Sequence, residues 1–187
     1  DLVEHRLHNG VWTFDEYQLL FNKVTDEKAI GESTVLYLYY FKEAIKNIKY
    51  RLDENIRIII MLRNPVDRAF SAYNHVARSV KEQLSFEEAL EIEHERLELD
   101  PTLTPMVMYK DMGLYCNMVK AYLDNFENVH IIMYEDFKSD TANVVEKTLE
   151  FLAVDSKVSL DTGSKHNVGG KSWKIPFLKH FFMKDNL

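Results

Sequence analysis

The pattern of apolar and polar positions predicts strands and amphipathic helices that alternate along the chain. A near-continuous apolar run, Ile56–Leu62, is typical of a parallel strand covered on both faces. Val129–Tyr134 and the shorter Ala29–Ser33 predict two more strands. This β–α order favours an α/β fold with a central parallel sheet flanked by helices. The predicted helices cover Phe14–Asn22, Tyr39–Arg51, Pro65–Val80, the stretch from Ser85 to about Leu99, Gly113–Asn125 and Thr141–Leu152.

The helix that begins at Ser85 carries its own start signal. Glu88 lies three residues further on, where it can complete a capping box with Ser85. Glu87–Glu98 is rich in carboxylates, and we interpret it as a solvated helix face.

The junction after the first of these strands has the residues of a capped helix start. Asn64 fits the N-cap, Pro65 the first helical position, and Asp67 the first turn near the positive end of the helix dipole. The carboxyl edge of a parallel sheet followed by a helix N-terminus is where α/β folds bind anions. Arg63 stands at this junction, and its guanidinium can fork onto a phosphate. An equal alternative to anion binding is an ordinary capped helix whose arginine pairs with a carboxylate.

The helix after this junction sorts into two faces. Val66, Ala69 and Phe70 recur at helical spacing and predict the side that faces the sheet. Ser71 lies on another face, about two turns into the helix, where its hydroxyl could donate to a ligand held by Arg63.

The sequence LRNPVDRAFSAYNH at 62–75 resembles the segment that binds the donor's 3′-phosphate in the sulfotransferase family. The donor of that family is 3′-phosphoadenosine-5′-phosphosulfate (PAPS). The family pattern is a hydrophobic strand, then R-[ND]-P-x-[DE]-R, then a serine at a fixed distance. Arg63 and Ser71 have the family spacing of eight residues. The resemblance implies that both bind the 3′-phosphate.

Further segments extend the resemblance over roughly residues 11–175. The resemblance implies a three-layer fold like that of the P-loop NTPases. The length of the chain predicts a single domain over 1–187. The segments that carry it are GEST at 31–34 followed by Tyr37, SFEEA at 85–89, Gly113-x-Tyr115 and VHIIMYEDF at 129–137.

The sequence departs from the family pattern near its start. The family's donor loop, Lys-x-Gly-Thr-Thr/Ser, cradles the 5′-phosphosulfate with backbone N–H groups. None of the six glycines has such a neighbourhood, and the element that supplies a catalytic glutamate in many relatives is missing too. Because the sequence begins at Asp1 and stops at Leu187, we expect a domain that is incomplete at both ends and lacks this loop.

The segment SKHNVGGKSW at 164–173 combines two lysines, a histidine and two glycines. In sulfotransferases a late loop of this character closes over the donor's 3′-phosphate and adenosine. The resemblance therefore implies donor contacts from Lys165, Lys171 or Ser172. A solvated linker is the alternative.

Four residues are candidates on the acceptor side. Glu32 follows a predicted strand near the active edge of the sheet and is the candidate for catalysis, with a structural carboxylate as an equal alternative. Tyr37, Tyr115 and His75 are candidates for contact with the acceptor. Core packing is the alternative for the two tyrosines, and a surface position for the histidine.

Composition narrows the classes of partner and compartment. A formal net charge of −7 argues against a general nucleic-acid binder, and no apolar run reaches the length of a membrane span. Cys116 is the only cysteine, so no disulfide can form within the chain, which favours a reducing compartment. The scattered histidines lack metal-ligand spacing. We expect a cytoplasmic protein, with the Golgi lumen as the alternative if a membrane anchor precedes Asp1.

Together these features predict a sulfotransferase that moves a sulfuryl group from PAPS to a hydroxyl or amine. The acceptor would be a small molecule or a carbohydrate, the product 3′,5′-diphosphoadenosine (PAP), and no metal would take part. Catalysis would rest on positioning and charge stabilisation. The alternative is a catalytically inactive relative that serves as a binding or scaffold domain. The acceptor's identity and the oligomeric state stay open.

Overall fold

The computed structural model describes residues 13–52, 55–78, 82–100, 103–158 and 161. These residues fall into two compact units, 13–32 and 33–161. The first unit contains helix α1, Phe14–Leu19, which begins with a capping box between Thr13 and Glu16. That the chain forms one domain over 1–187 stays a prediction.

The predicted strand Ala29–Ser33 is wrong, because these residues are irregular and exposed. A strand needs a partner for its backbone N–H and C=O groups. Within the described part of the chain, nothing lies within 4 Å of the position that a Cβ at Gly31 would take. Among the described residues, the backbone at Gly31 therefore has no strand beside it.

The second unit is built around two short parallel strands. They pair from Ile58 with Val129 to Leu62 with Met133, and this parallel sheet with flanking helices confirms the predicted α/β class. Two turns of 3₁₀-helix, Pro105–Val107 and Asp111–Gly113, precede the helix Tyr115–Asn125. In chain order the elements are α2 Phe41–Arg51, β1 Ile58–Leu62, α3 Pro65–Ala77, α4 Phe86–Glu91, α5 Glu93–Leu99, α6 Tyr115–Asn125, β2 Val129–Met133, α7 Tyr134–Ser139 and α8 Thr141–Phe151.

One face of the sheet is covered by α2 and α6. Ile60 of β1 is buried against Ile45 of α2, Tyr122 of α6 and Phe126, which directly follows α6. The Tyr122 hydroxyl donates to the carbonyl oxygen of Tyr37 at 2.9 Å, and burial raises its pKa to about 12. This apolar core fixes β1 between the two helices.

The other face of β1 is open among the described residues. Ile59 and Met61 keep 42% and 47% of their surface exposed. Helix α8 packs on β2, where the rings of His130 and Phe151 stack with centroids 5.1 Å apart. The prediction that β1 is covered on both faces is therefore wrong for the part of the chain that the structure describes.

Helix α3 buries only part of the side that its apolar spacing predicted, and it buries that part away from the sheet. Ala69 is buried in a second apolar cluster with Ala89 and Tyr109, and α3 packs against the two 3₁₀ turns. Val66 and Phe70, predicted to face the sheet, are 70% and 52% exposed. The difference arises because the segment before α6 supplies the partner for α3, and no local pattern in the sequence indicates that long-range contact.

The acidic stretch predicted as one helix is two helices, α4 and α5, separated at Ile92. The predicted capping box at the start of α4 is present. Glu93 is fully buried, and its carboxylate accepts the backbone N–H groups of Lys110 and Asp111 at 2.8 and 3.0 Å. Its interpretation as part of a purely solvated face is wrong, because these two donors satisfy the carboxylate inside the protein.

A second buried carboxylate, Glu82, pairs with Arg96 of α5. The guanidinium donates to both carboxylate oxygens at 3.0 and 3.1 Å, and the Tyr109 hydroxyl donates to one of them at 2.6 Å. Burial alone would raise the pKa of Glu82, but the hydrogen bonds from Tyr109 and Arg96 outweigh it and lower the pKa. The three side chains thereby tie α5 to the segments that precede α4 and α6.

We predict that Arg96→Ala lowers the free energy of unfolding by about 3–5 kcal/mol, because Glu82 is left buried without its charge partner. Urea denaturation measures the change. Lys120→Ala is the control, since it removes only the exposed ion pair with Asp124 and should cost about 0.5 kcal/mol or less. Equal losses in the two variants would contradict a structural role for the buried pair.

Candidate functional site

The register of the strands brings the residues after them together at one edge of the sheet. Because Leu62 pairs with Met133, Arg63 emerges beside Tyr134, and the guanidinium carbon lies 5.0 Å from the centre of the tyrosine ring. A pocket of about 350 Å³ opens at this edge. It is lined by the strand ends and the starts of α3 and α6, through Leu62, Arg63, Asn64, Pro65, Asp67, Tyr115, Met133 and Glu135.

The turn between β1 and α3 is held from two sides. The Asn64 side-chain oxygen accepts the N–H groups of Val66 and Asp67 at 3.0 and 3.3 Å, which confirms the predicted N-cap. The N–H of Asn64 itself donates to a Glu135 carboxylate oxygen at 3.0 Å. This hydrogen bond is the main reason that the pKa of Glu135 is lowered.

Tyr115 forms the wall that α6 contributes to the pocket. Burial raises the pKa of its hydroxyl, and the positive charges of Arg68 and Arg63 partly oppose that rise. Gly113 lies against the start of α3, where a Cβ would stand 3.1 Å from the Cβ of Pro65. A side chain at this position would require Pro65 to shift, so glycine suits the close approach of this segment to α3.

Polar contacts hold the segment that leads into α6. The Glu93 carboxylate accepts two of its backbone N–H groups, as described above, and the Asp111 carboxylate accepts the Tyr39 hydroxyl at 2.8 Å. Arg68 of α3 donates to the carbonyl oxygen of Tyr109. The pocket wall is therefore fixed to α3, to α5 and to the turn that precedes α2.

The chemistry of the lining suits one anionic group beside Arg63. The guanidinium supplies parallel donors, and the start of α3 adds the positive end of a helix dipole. Asp67 and Glu135 place two carboxylates in the same lining. A multiply charged ligand bound here thus needs cations beyond Arg63.

The structure brings two of the predicted site residues together, Arg63 and Tyr115. Ser71 is exposed on α3, one turn beyond Asp67 on the same helix face. Among the described residues, the pocket lining does not include Ser71. His75 is exposed in the last turn of α3.

The remaining predicted site residues lie elsewhere. Tyr37 belongs to the second unit and is 38% exposed. Glu32 is exposed at the end of the first unit. There its charge adds to the effect of burial in raising the pKa of Tyr17. Outside the described residues lie the predicted donor contacts Lys165, Lys171 and Ser172.

Sequence reasoning missed Tyr134 and Glu135 as neighbours of Arg63. A signal for them was present, because the second predicted strand ends in the acidic sequence YED. Parallel strands that end at the same level bring their following residues together. The pairing register, which is not visible in the sequence, was the missing information.

Two absences concern only the described part of the chain. No group of three or more His, Cys, Asp or Glu side chains there is placed to hold a metal ion, and metal-free function stays a prediction. No helix there is both long and apolar enough to cross a membrane.

The fold is α/β, and a pocket lined by Arg63 lies between a parallel strand and the helix that follows it. The family model described as the sulfotransferase domain matches residues 43–168. The crystal structure of a sulfotransferase from Alicyclobacillus acidocaldarius is similar, with 39% sequence identity and a TM-score of 0.77. The match covers 87% of this chain and 66% of that one, so this chain spans just under two thirds of the length of that protein. Among curated proteins no match was found.

The chain belongs to the sulfotransferase family, as its resemblance at 62–75 predicted.

We predict that Gly113→Ala destabilises the protein by about 1–3 kcal/mol, because the new methyl group must displace the rigid ring of Pro65. Urea denaturation measures the loss. The matched control is Gly31→Ala, where the added Cβ meets nothing within 4 Å in the described residues, and we expect its stability to be unchanged or slightly raised. A Gly113→Ala variant as stable as Gly31→Ala would show that the close approach to Pro65 is not required.

Proposed function

We propose that this protein transfers a sulfuryl group from PAPS to a hydroxyl or amine of a small-molecule or carbohydrate acceptor. One observation carries the proposal. Arg63 lines a pocket at the carboxyl end of a parallel strand, directly before a capped helix, in a chain of the sulfotransferase family.

The donor's 3′-phosphate binds between Arg63 and Ser71. Arg63 forks onto two phosphate oxygens, and the Ser71 hydroxyl donates to a third. Two facts support this assignment. Asp67, one turn before Ser71 on the same face of α3, lines the pocket, and a turn of helix rises only about 5 Å.

Additional cations complete the donor site. The carboxylates of Asp67 and Glu135 line the same pocket. Their negative charges repel a phosphate and therefore weaken its binding. We assign the compensating contacts to Lys165, Lys171 and Ser172, in the basic segment that family members use to close over the donor.

The reaction breaks the bond between sulfur and the phosphate oxygen of PAPS and forms a bond from sulfur to the acceptor's oxygen or nitrogen. The bonding electrons of the broken bond stay with the phosphate, and PAP leaves. A base takes the acceptor proton, and Glu32 is our candidate for it. Tyr37, Tyr115 and His75 contact the acceptor. We place the reaction in the cytoplasm, with PAPS as the only cofactor and no metal.

Calorimetric titration with PAP and with 5′-AMP tests the donor site. We expect Arg63→Ala to weaken PAP binding by about 10- to 100-fold, because charged hydrogen bonds to the 3′-phosphate are lost. Binding of 5′-AMP, which has no 3′-phosphate, should be unchanged. Arg57→Ala is the matched control, since Arg57 is an exposed arginine just before the opposite end of the same strand.

Equal affinity of the wild-type protein for PAP and 5′-AMP would contradict the proposal. Once binding is established, a measurement of turnover distinguishes an active sulfotransferase from an inactive scaffold domain. An enzyme releases PAP from PAPS when hydroxyl or amine acceptors are supplied, whereas the scaffold domain considered from sequence would bind PAP and release none.

A further inference from the structure

We propose that Tyr134 and Glu135, the two residues after β2, are positioning residues that hold Arg63 in the geometry that recognises a 3′-phosphate. The inference rests on the proposed function for the identity of the ligand. Its structural part concerns the free protein and can be tested without any nucleotide.

The register of the sheet makes these two residues the neighbours of the anion-binding turn. Leu62 and Met133 are the last paired residues of the two strands. Continuing the same register sets Arg63 beside Tyr134 and Asn64 beside Glu135. The candidate ligand-binding residues therefore follow β1, and the residues that contact them follow β2.

Tyr134 supports the side chain of Arg63. The guanidinium carbon lies 5.0 Å from the ring centre, within the range of an attractive cation–π contact. Both residues are partly buried, so the ring restricts a guanidinium that solvent would otherwise leave free to change rotamer. A restricted arginine loses less entropy when it forks onto a phosphate.

Glu135 supports the backbone of the same turn. Its carboxylate accepts the N–H of Asn64 at 3.0 Å, so the peptide that follows Arg63 is fixed to the end of β2. The positive charge of Arg63 also contributes to the lowered pKa of Glu135. Backbone and side chain are thus held by successive residues of one short segment.

The first test compares Tyr134→Leu with Tyr134→Phe, which retains the aromatic ring. By calorimetry, Tyr134→Leu should weaken PAP binding by about 3- to 30-fold and leave 5′-AMP binding unchanged. Tyr134→Phe should stay within about twofold of the wild type, because the ring face is kept. In an Arg63→Ala background, Tyr134→Leu should have no further effect.

The second test compares Glu135→Ala with Glu135→Gln. Both remove the negative charge, so the difference between them reports the hydrogen bond to Asn64. We expect Glu135→Gln to bind PAP about 2- to 10-fold more tightly than Glu135→Ala.

The third test is nuclear magnetic resonance of the free protein. The Arg63 Nε–Hε signal should be ordered and shifted by the ring current in the wild type and in Tyr134→Phe, and should lose both properties in Tyr134→Leu.

An Arg63 signal that is the same in all three proteins would overturn the inference. So would a Tyr134→Leu variant that weakens PAP and 5′-AMP equally, because that result indicates general destabilisation. Normal Arg63 order in a wild-type protein that does not prefer PAP would instead count against the proposed function alone.

Discussion

The parallel, in-register pairing of β1 with β2 is the constraint on which the candidate site depends. Both strands are five residues long and end level with each other. The residues that follow them therefore leave the sheet at one edge, where Arg63 meets Tyr134 and Asn64 meets Glu135. A slip of one residue would turn these side chains to opposite faces of the sheet. Ile60 is buried against α2 and α6. A slip would turn its side chain away from these helices, so this burial stabilises the observed register.

The opposite wall of the pocket depends on polar contacts as well as on the apolar cluster of Ala69, Ala89 and Tyr109. A buried carboxylate costs free energy unless it is hydrogen-bonded, and Glu93 meets that condition only while the segment before α6 stays in place. Arg68 adds a contact from α3, and Tyr39 adds one from the turn before α2. The absence of a side chain at Gly113 then permits close approach to α3. Stability of the fold and the position of Tyr115 are in this way coupled.

The sequence was sufficient for local features and for family membership. Capping signals identified the starts of α3 and α4, since these depend on residues only a few positions apart. The arginine after β1 could be singled out for the same reason. The strand at 29–33 and the solvated character of Glu93 were predicted wrongly, because each depends on distant parts of the chain. Among the described residues no strand pairs with 29–33, and two backbone N–H groups far along the chain bind Glu93. The roles of Tyr134 and Glu135 could not be predicted from the sequence, because they depend on the register between the two strands.

The most direct test of the central claim is a crystal structure of the protein with PAP. Our account predicts the 3′-phosphate at the carboxyl edge of β1, with the Arg63 guanidinium in bidentate contact, the Ser71 hydroxyl within hydrogen-bonding distance and the Tyr134 ring still against the guanidinium. A nucleotide bound with its 3′-phosphate away from Arg63, or with Arg63 turned from the ligand towards Glu135, would contradict it.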